Sequence, residues 1–463
     1  MLETRHLEGA HAGESEMADR PVVPAASYLK RKLVLTLLVG ALFVNAAIVL
    51  VVLPRAAGAL NYSLQLGDLY DLIGTNLAQG NGYRVDTQMG ETMLREPGHP
   101  LLIAAVFKMW GYGVQGPRIA CIVLAFGAAL ILLRLAREIT GDTMIAVIAA
   151  LLFLLYPATL VAEARAGVEM PCVLTVLLFM LVLYRAVDKG GMLWYSVAGV
   201  LLGVASLVRS EVFLFPVFLL PYFLVTSRGW GERGQAVLRM LVLGIAALVT
   251  ISPWIIRNYL LVHTFVPTAT LAGVAAQEGV YTCEHLSQGE QFWQAQRGAG
   301  LERAEIARQL GLRFEGSFYY QFFYTPQDEV RFNRALLNDV SAEYRSNPGV
   351  LVGCGAKNLF FKFWFLGKTP QATRMNMLMQ MPLLALALGG MVVLYNRGLL
   401  RKAAIILLYI IYVPMVHMAI IAHARHSVFV VPFLAILAAV FLIWVWSAMR
   451  TQHSPTNELQ VQV

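Results

Sequence analysis

Runs of apolar residues with few or no charges recur along this chain, and nothing else in the sequence restricts its fold so tightly. One run covers 33–53, and others follow at 119–136, 143–162, 170–186, 192–208, 212–226, 240–256, 377–395, 403–422 and 427–446. A hydrocarbon core about 30 Å thick takes roughly 20 helical residues, fewer where flanking arginines and lysines snorkel. Inside a bilayer the backbone must satisfy its own hydrogen bonds, and at these lengths a helix does so. The chain therefore reads as an all-α polytopic membrane protein with about ten transmembrane helices, and at most about thirteen.

Charge gives the orientation. Only 14% of the residues are charged, against about 25% in a typical soluble protein, which excludes an ordinary soluble enzyme. The net charge of +8 comes largely from short basic segments beside the apolar runs, a membrane pattern rather than a nucleic-acid one. Lys30, Arg31 and Lys32, Arg134 and Arg137, Arg185 and Lys189, Arg228, Arg233 and Arg239, Arg397, Arg401 and Lys402, and Arg450 all fall on one side. Positive residues are retained in the cytoplasm, so both termini are expected there. The first 28 residues mix both charges without an apolar stretch, and read as a disordered tail rather than a secretory signal.

The expected organisation is a tail at 1–32, a membrane module at 33–256 with a first outer loop at 54–118, an outer-face domain at 257–376, C-terminal membrane helices at 377–447, and a second tail at 448–463. Both outer segments are too long for connectors. The first is expected to hold two short helices, at 71–79 and 100–110, separated by Gly80, Asn81 and Gly82. The second is expected to hold helices near 301–310, 330–344 and 356–365, with an aromatic run from Phe318 to Tyr324 that could stack on a sugar but is read as packing the outer domain or resting on the bilayer interface. Cys283 and Cys354 both lie in it and are read as free thiols, although an oxidising compartment would allow a disulfide.

Ionisable residues cluster where the apolar runs meet the outer side. Asp68, Asp71, Arg95, Glu96, Glu163, Arg165, Glu169, Arg209, Glu211, Arg257, His423, Arg425 and His426 all belong there. Charges beside lipid are costly unless they bind something or each other. Arginines hold phosphate through paired hydrogen bonds, and a carboxylate accepts a proton from a nucleophile. Together they suit group transfer from a lipid phosphate. Simpler roles fit single members: Asp68 and Asp71 suit a helix N-terminus, Arg95 with Glu96 and Arg209 with Glu211 suit local ion pairs, and Arg257 suits an interface anchor. His423 and His426 stand at a helical i, i+3 spacing that can aim two imidazoles at one metal ion, but no third ligand is evident and no metal is expected.

Five stretches, in order, resemble the integral-membrane glycosyltransferases of the C-type superfamily, specifically those related to protein O-mannosyltransferases and lipid A aminoarabinose transferases. They are Tyr70-Asp71-Leu72-Ile73-Gly74 with Gly80-Asn81-Gly82-Tyr83 and Arg95-Glu96-Pro97-Gly98-His99; Leu207-Val208-Arg209-Ser210-Glu211; Ser252-Pro253-Trp254-Ile255-Ile256-Arg257-Asn258-Tyr259 with Phe265-Val266-Pro267; Asn347-Pro348-Gly349 with Lys357 and Trp364; and Arg425 through Pro432. The resemblance implies a sugar donor linked to polyprenyl phosphate as co-substrate, with no other cofactor. It also implies a glycan, glycolipid or protein acceptor on the outer face of a bacterial inner membrane, and inversion at the anomeric carbon.

The family's catalytic acid stands four residues before the tyrosine, where this chain has Leu66. Asp68 is the nearest acid and is taken as the base, with Asp71 in reserve. Arg95, Arg209, Arg257 and Arg425 are then expected on the donor phosphate. Tyr70, Tyr83, Glu96, His99, Glu169, Glu211 and Asn258 are expected in the pocket, and Asp68, Arg95, Arg209 and Arg257 on one wall. A secondary transporter would gather its charges at the bilayer midplane between repeated halves; no repeat is visible, and the charges collect at one face. A non-catalytic membrane scaffold is the other alternative.

Overall fold

The computed structural model describes residues 25–59, 69–316 and 320–452. Asp68, most of the expected N-terminal tail and the end of the C-terminal tail lie outside the described residues. The N-terminal helix α1 (Ala25–Ala47) continues through a π-helical turn at Ile48–Val52 into α2 (Leu53–Ala59). The segment expected as the first outer loop carries α3 (Tyr70–Gln79) and α4 (Gly98–Trp110), close to the two short helices expected. The membrane module then runs through α5 (Gln115–Thr140), α6 (Thr143–Leu155), α7 (Pro157–Ala164), α8 (Glu169–Lys189), α9 (Met192–Val208), α10 (Phe215–Thr226) and α11 (Trp230–Val262).

The segment expected as the outer-face domain, hereafter the outer domain, folds as α12 (Ala272–Ser287), α13 (Phe292–Gln309), a hairpin of β1 (Phe314–Gly316) and β2 (Gln321–Phe323), α14 (Pro326–Ser346), α15 (Pro348–Lys357) and the one-turn α16 (Phe363–Phe365). The hairpin is antiparallel, with Phe314 opposite Phe323 and Gly316 opposite Gln321. The aromatic run therefore supplies a strand, and α13 is about twice as long as the helix expected there. The chain ends with α17 (Pro370–Asn396), α18 (Leu400–Val416) and α19 (Val431–Gln452).

Among the described residues, six helical spans are long and apolar enough to cross a membrane, and the α6–α7 pair, bent by 48°, makes a seventh. Helices α9 and α10 are apolar but shorter. The chain is a multi-pass membrane protein. The bend in the pair has a local cause. Pro157 has no N–H to donate, and the preceding Tyr156 is extended rather than helical. The side chain of Asn45 on α1 then donates to the Leu154 carbonyl at 2.9 Å and to Glu163 Oε1 at 3.1 Å.

Small residues set the closest helix contacts. A Cβ added at Gly199 of α9 would stand 2.2 Å from the Leu243 carbonyl oxygen of α11, and one at Gly203 would stand 2.5 Å from Thr250 Cβ. These two glycines, four residues apart, let two backbones meet as membrane helices without a bulky seam can. At the centre, α19 is buried on every side from Val431 to Val440, the pattern of a core helix rather than a surface one.

Two expectations at the outer end need correction. Helix α18 stops at Val416 instead of continuing to residue 422, because the turn around Pro414 to Met418 ends it, and this frees His417 from the span. Cys283 of α12 and Cys354 of α15 form a disulfide, with Cα atoms 5.8 Å apart, rather than remaining free thiols. Their helices pack side by side, a closeness that their separation of 71 residues in sequence hides.

The bond closes a ring around most of the outer domain. Replacing either cysteine with serine should lower stability by roughly 2–4 kcal/mol. The check is the thermal unfolding midpoint of Cys283→Ser beside oxidised and reduced wild type; reduction should lower the wild-type midpoint and leave the variant unchanged.

Candidate active site

The site is assembled from loops at one set of helix ends. Helix α3 starts after Leu69, which takes a left-handed backbone with φ of 71°. Leucine rarely adopts this conformation, and such strain persists only where the surroundings fix it. The N-cap therefore falls on Leu69, without a side-chain cap, and Asp71 sits in the first turn, where the helix dipole favours a negative charge. Tyr70 begins the helix, and its ring meets the His99 ring edge-on at 4.8 Å. His99 Nε2 lies 3.1 Å from the Ala166 carbonyl, which only a protonated nitrogen can bond. Ala166 is itself left-handed, with φ of 49°.

Arg95 lies between two tyrosine rings, 5.0 Å from the Tyr70 centroid and 5.2 Å from that of Tyr320, and donates to the Tyr320 hydroxyl at 2.7 Å. Neighbouring Glu96 turns the other way. Its Oε1 accepts from the Ser210 hydroxyl at 2.5 Å and from the Ser210 backbone N–H at 3.2 Å. The ion pair considered between Arg95 and Glu96 is thus replaced by two separate anchors, one to the outer domain and one to the α9–α10 turn. Tyr83 fixes the backbone of both, donating to the carbonyls of Arg95 and Glu96 at 2.9 and 3.1 Å. Burial pushes its phenol pKa well up, which keeps the proton available for that contact.

At the α9–α10 turn, Arg209 and Glu211 form the pair considered from sequence. It is bidentate, with Nε to Oε1 at 2.7 Å and Nη2 to Oε2 at 3.0 Å. The guanidinium carbon stands 4.5 Å from the Phe429 ring centroid. Glu211 also lies 3.8 Å from His417 Nε2, and its carbonyl accepts from Tyr412. In the turn before α19, Arg425 donates to Glu169 at the start of α8. A Cβ on Gly167 would come 2.0 Å from Glu169 Oε2 and 3.1 Å from Arg425 Nη2, so a side chain there would push that pair out of its present place.

The rings of His423 and His417 each lie against His426, at 4.2 and 4.3 Å between centroids. The planes of these two pairs are tilted by 31° and 35°. Among the described residues, no group of three histidine, cysteine or acidic side chains is disposed to hold a metal ion.

Arg257 stands apart from this cluster. It donates to the Thr92 carbonyl at 2.9 Å and to Asn258 Oδ1 at 3.0 Å, pairs with Glu91 at 2.9 Å, and lies over the Trp254 ring at 4.6 Å. Tyr83 separates it from Arg95, its ring 5.2 Å from the Arg257 guanidinium carbon. Asn258 donates to the carbonyls of Val266 and Thr268, and Trp254 to that of Thr268. These residues hold the chain where it leaves α11. The structure thus brings Tyr70, Arg95, Glu96, His99, Arg209 and Glu211 into one contact chain, with Glu169 and Arg425 beside it, and places Arg257 and Asn258 one aromatic layer behind.

Ser210, Tyr320, His417 and Glu329 were not singled out as site residues by sequence reasoning. Ser210 lay inside a motif read for its charges, and Tyr320 inside a run read as packing. Glu329 of α14 is buried, and its carboxylate accepts from the Thr92 hydroxyl at 2.7 Å, from the Met93 N–H at 3.0 Å and from the Thr270 hydroxyl.

Residues 95–256, just over a third of the chain, match the family model described as dolichyl-phosphate-mannose-protein mannosyltransferase. No curated protein matches the sequence. Among solved structures, the oligosaccharyltransferase of Archaeoglobus fulgidus tethered to an acceptor peptide containing the NVT sequon is similar. It has 14% identity and a TM-score of 0.54, over 93% of this chain and 52% of that one. AglB of the same archaeon, in complex with an inhibitory peptide and a dolichol-phosphate, has 14% identity and a TM-score of 0.53, over 94% and 53%. ArnT from Cupriavidus metallidurans, bound to undecaprenyl phosphate, has 16% identity and a TM-score of 0.36, over 92% and 80%.

The chain spans about half the length of the archaeal structures it matches. At these identities the likeness is one of fold. The fold is that of the C-type membrane glycosyltransferases, and the resemblance read from the sequence stands.

Burial pushes the Glu329 carboxyl above its ordinary pKa, against its three hydrogen bonds and the nearby Arg257. A carboxyl raised in the folded state contributes stability that is full below the unfolded value, about 4.3. That contribution is lost as pH rises through the folded value. Glu329→Gln should remove this part of the slope. Unfolding midpoints of both proteins across that range are the check, and parallel profiles would contradict the assignment.

Proposed function

We propose that the protein is a glycosyltransferase that moves a sugar from a polyprenyl-phosphate donor to an acceptor at the outer face of a bacterial inner membrane. The observation that carries this reading is the cluster of oriented cations, Arg95 against Tyr320, Arg209 against Glu211 and Arg425 against Glu169, with all but Tyr320 and Arg425 inside the segment that matches a mannosyltransferase family model. The similar archaeal structure holds a dolichol-phosphate, which supports a lipid-phosphate donor here. Another holds an acceptor peptide, which supports a protein acceptor among the glycan, glycolipid and protein classes.

In the proposed reaction an aspartate, Asp68 or Asp71, takes the proton from the acceptor hydroxyl. The oxygen attacks the anomeric carbon on the face opposite the phosphate. The carbon–oxygen bond to phosphate then breaks, its electron pair leaves with the polyprenyl phosphate, and the anomeric configuration inverts. Polyprenyl phosphate is a good leaving group, so the protein's work is to position the reactants and receive charge. The pair with Glu211 engages Nε and Nη2 of Arg209 and leaves further N–H donors for a phosphate oxygen. The cation at Arg95 is oriented before the donor arrives, because Tyr70 and Tyr320 bracket it. In this reading Arg257 and Asn258 position the loop and do not touch the phosphate.

The test is transfer of labelled sugar from membrane-extracted polyprenyl-phosphate donors by the protein in lipid nanodiscs. Arg95→Ala should cut transfer by about 10²–10³-fold, as loss of one preorganised charge-stabilising donor does. Of Asp68→Asn and Asp71→Asn, one should lose about 10²–10⁴-fold, and that one is the base. Full activity in both, or no transfer from a donor pool that serves a control transferase and no donor binding, would overturn the proposal.

A further inference from the structure

The membrane helices that carry the site at one end enclose a cavity of about 1030 Å³ at the other. Helix α5 runs from Arg118, bonded to the Ala164 carbonyl beside the site, to Glu138 on the cavity wall. The residues between them span about 30 Å at 1.5 Å each. Helix α8 likewise leads from Glu169 to Asp188, and α11 from Arg257 back to Arg239. With α9, α10 and α18, six helix ends line the cavity.

Its walls carry both signs of charge. Arg239, Arg401 and Lys402 face the space together with Glu138, Asp188 and Glu232. No ion pair joins these cations to these carboxylates. A site for a simple anion gains nothing from three carboxylates, and a site for a simple cation gains nothing from three bases. Opposite charges held apart across one cavity complement a ligand that carries both. Ile139, Met240 and Ile405 give the same cavity an apolar floor between the helices, which suits a ligand with a hydrocarbon part. Tyr184 and Tyr222 donate to the carbonyls of Lys402 and Arg401 at 2.7 and 3.4 Å. They thereby hold the start of α18, and its two cations, at the rim.

We propose that this cavity binds the headgroup of a zwitterionic phospholipid of the ethanolamine type. Arg239, Arg401 and Lys402 receive its phosphate, and Glu138, Asp188 and Glu232 receive its ammonium N–H groups. The glycerol and upper acyl chains lie over Ile139, Met240 and Ile405. This assignment does not depend on the reaction at the other face.

Native mass spectrometry of the full chain, equilibrated with an equal mixture of phosphatidylethanolamine, phosphatidylcholine and phosphatidylglycerol, tests it. Phosphatidylethanolamine should be retained over the other two, and water-soluble glycerophosphoethanolamine should not displace it. The Glu138→Gln/Asp188→Asn double variant should bring phosphatidylethanolamine and phosphatidylglycerol level. The Arg401→Gln/Lys402→Gln double variant should weaken retention of all three by about tenfold, the effect of losing a charge-assisted hydrogen bond. All four side chains are exposed, so unfolding midpoints should match wild type and separate lost binding from lost fold. Equal retention of phosphatidylglycerol or phosphatidylcholine by wild type, displacement by the soluble headgroup, or unchanged retention in either double variant would each overturn the proposal.

Discussion

A charge taken out of water beside lipid persists only when another group holds it, and the end of this protein that carries the site is built on that constraint. Arg209 is held by Glu211, Arg425 by Glu169 and Arg257 by Glu91. Arg303, fully buried in the outer domain, donates to Gln277 at 2.8 Å and lies 3.6 Å from Glu278. Desolvation consumes much of the attraction within such pairs, so they add little net stability; removing one partner, however, strands the other at a cost of about 3–5 kcal/mol. The pairs therefore fix where each guanidinium points more than they tighten the fold. A layer of cations oriented in advance is what a developing phosphate charge requires.

The same constraint links the two outer segments. Glu329 reaches from α14 to Thr92, Met93 and Thr270, while Arg257 grips Glu91 and the Thr92 carbonyl from α11. Both therefore hold residues 91–93, just ahead of Arg95. With Tyr320 against its far side, Arg95 is placed by the outer domain as much as by its own loop. The position of one cation thus reports on the docking of a whole domain.

Much of this was legible in the sequence for physical reasons. Uncharged apolar runs form helices in lipid, so the all-helical membrane class and the two short helices at Tyr70–Gln79 and Gly98–Trp110 could be read directly. Among the described residues, however, six or seven spans, not the expected ten, are long and apolar enough to cross. Local pairs such as Arg209 with Glu211 were legible because neighbours on one turn have few other partners. Contacts across long separations were not. Nothing near Glu329 announces Thr92, and nothing near Cys283 announces Cys354. Arg257 and Asn258 belong to a distinctive motif, yet their side chains pin a chain reversal. A motif's spacing records a local geometric demand, and it does not say whether the demand is chemical or architectural.

The contact of Asn45 with Leu154 and Glu163 bears on the order in which the protein is built. The break at Pro157 leaves a carbonyl without its helical donor, and the donor that takes its place is carried by α1, which is synthesised before α6 and α7. When α6 and α7 enter the bilayer more than a hundred residues later, their missing hydrogen bond is already waiting in the membrane. Helix α1 is thus a template for the bent pair. Without α1 beside it, the bent pair would hold a bare Leu154 carbonyl and an unaccompanied Glu163 side chain in the apolar interior.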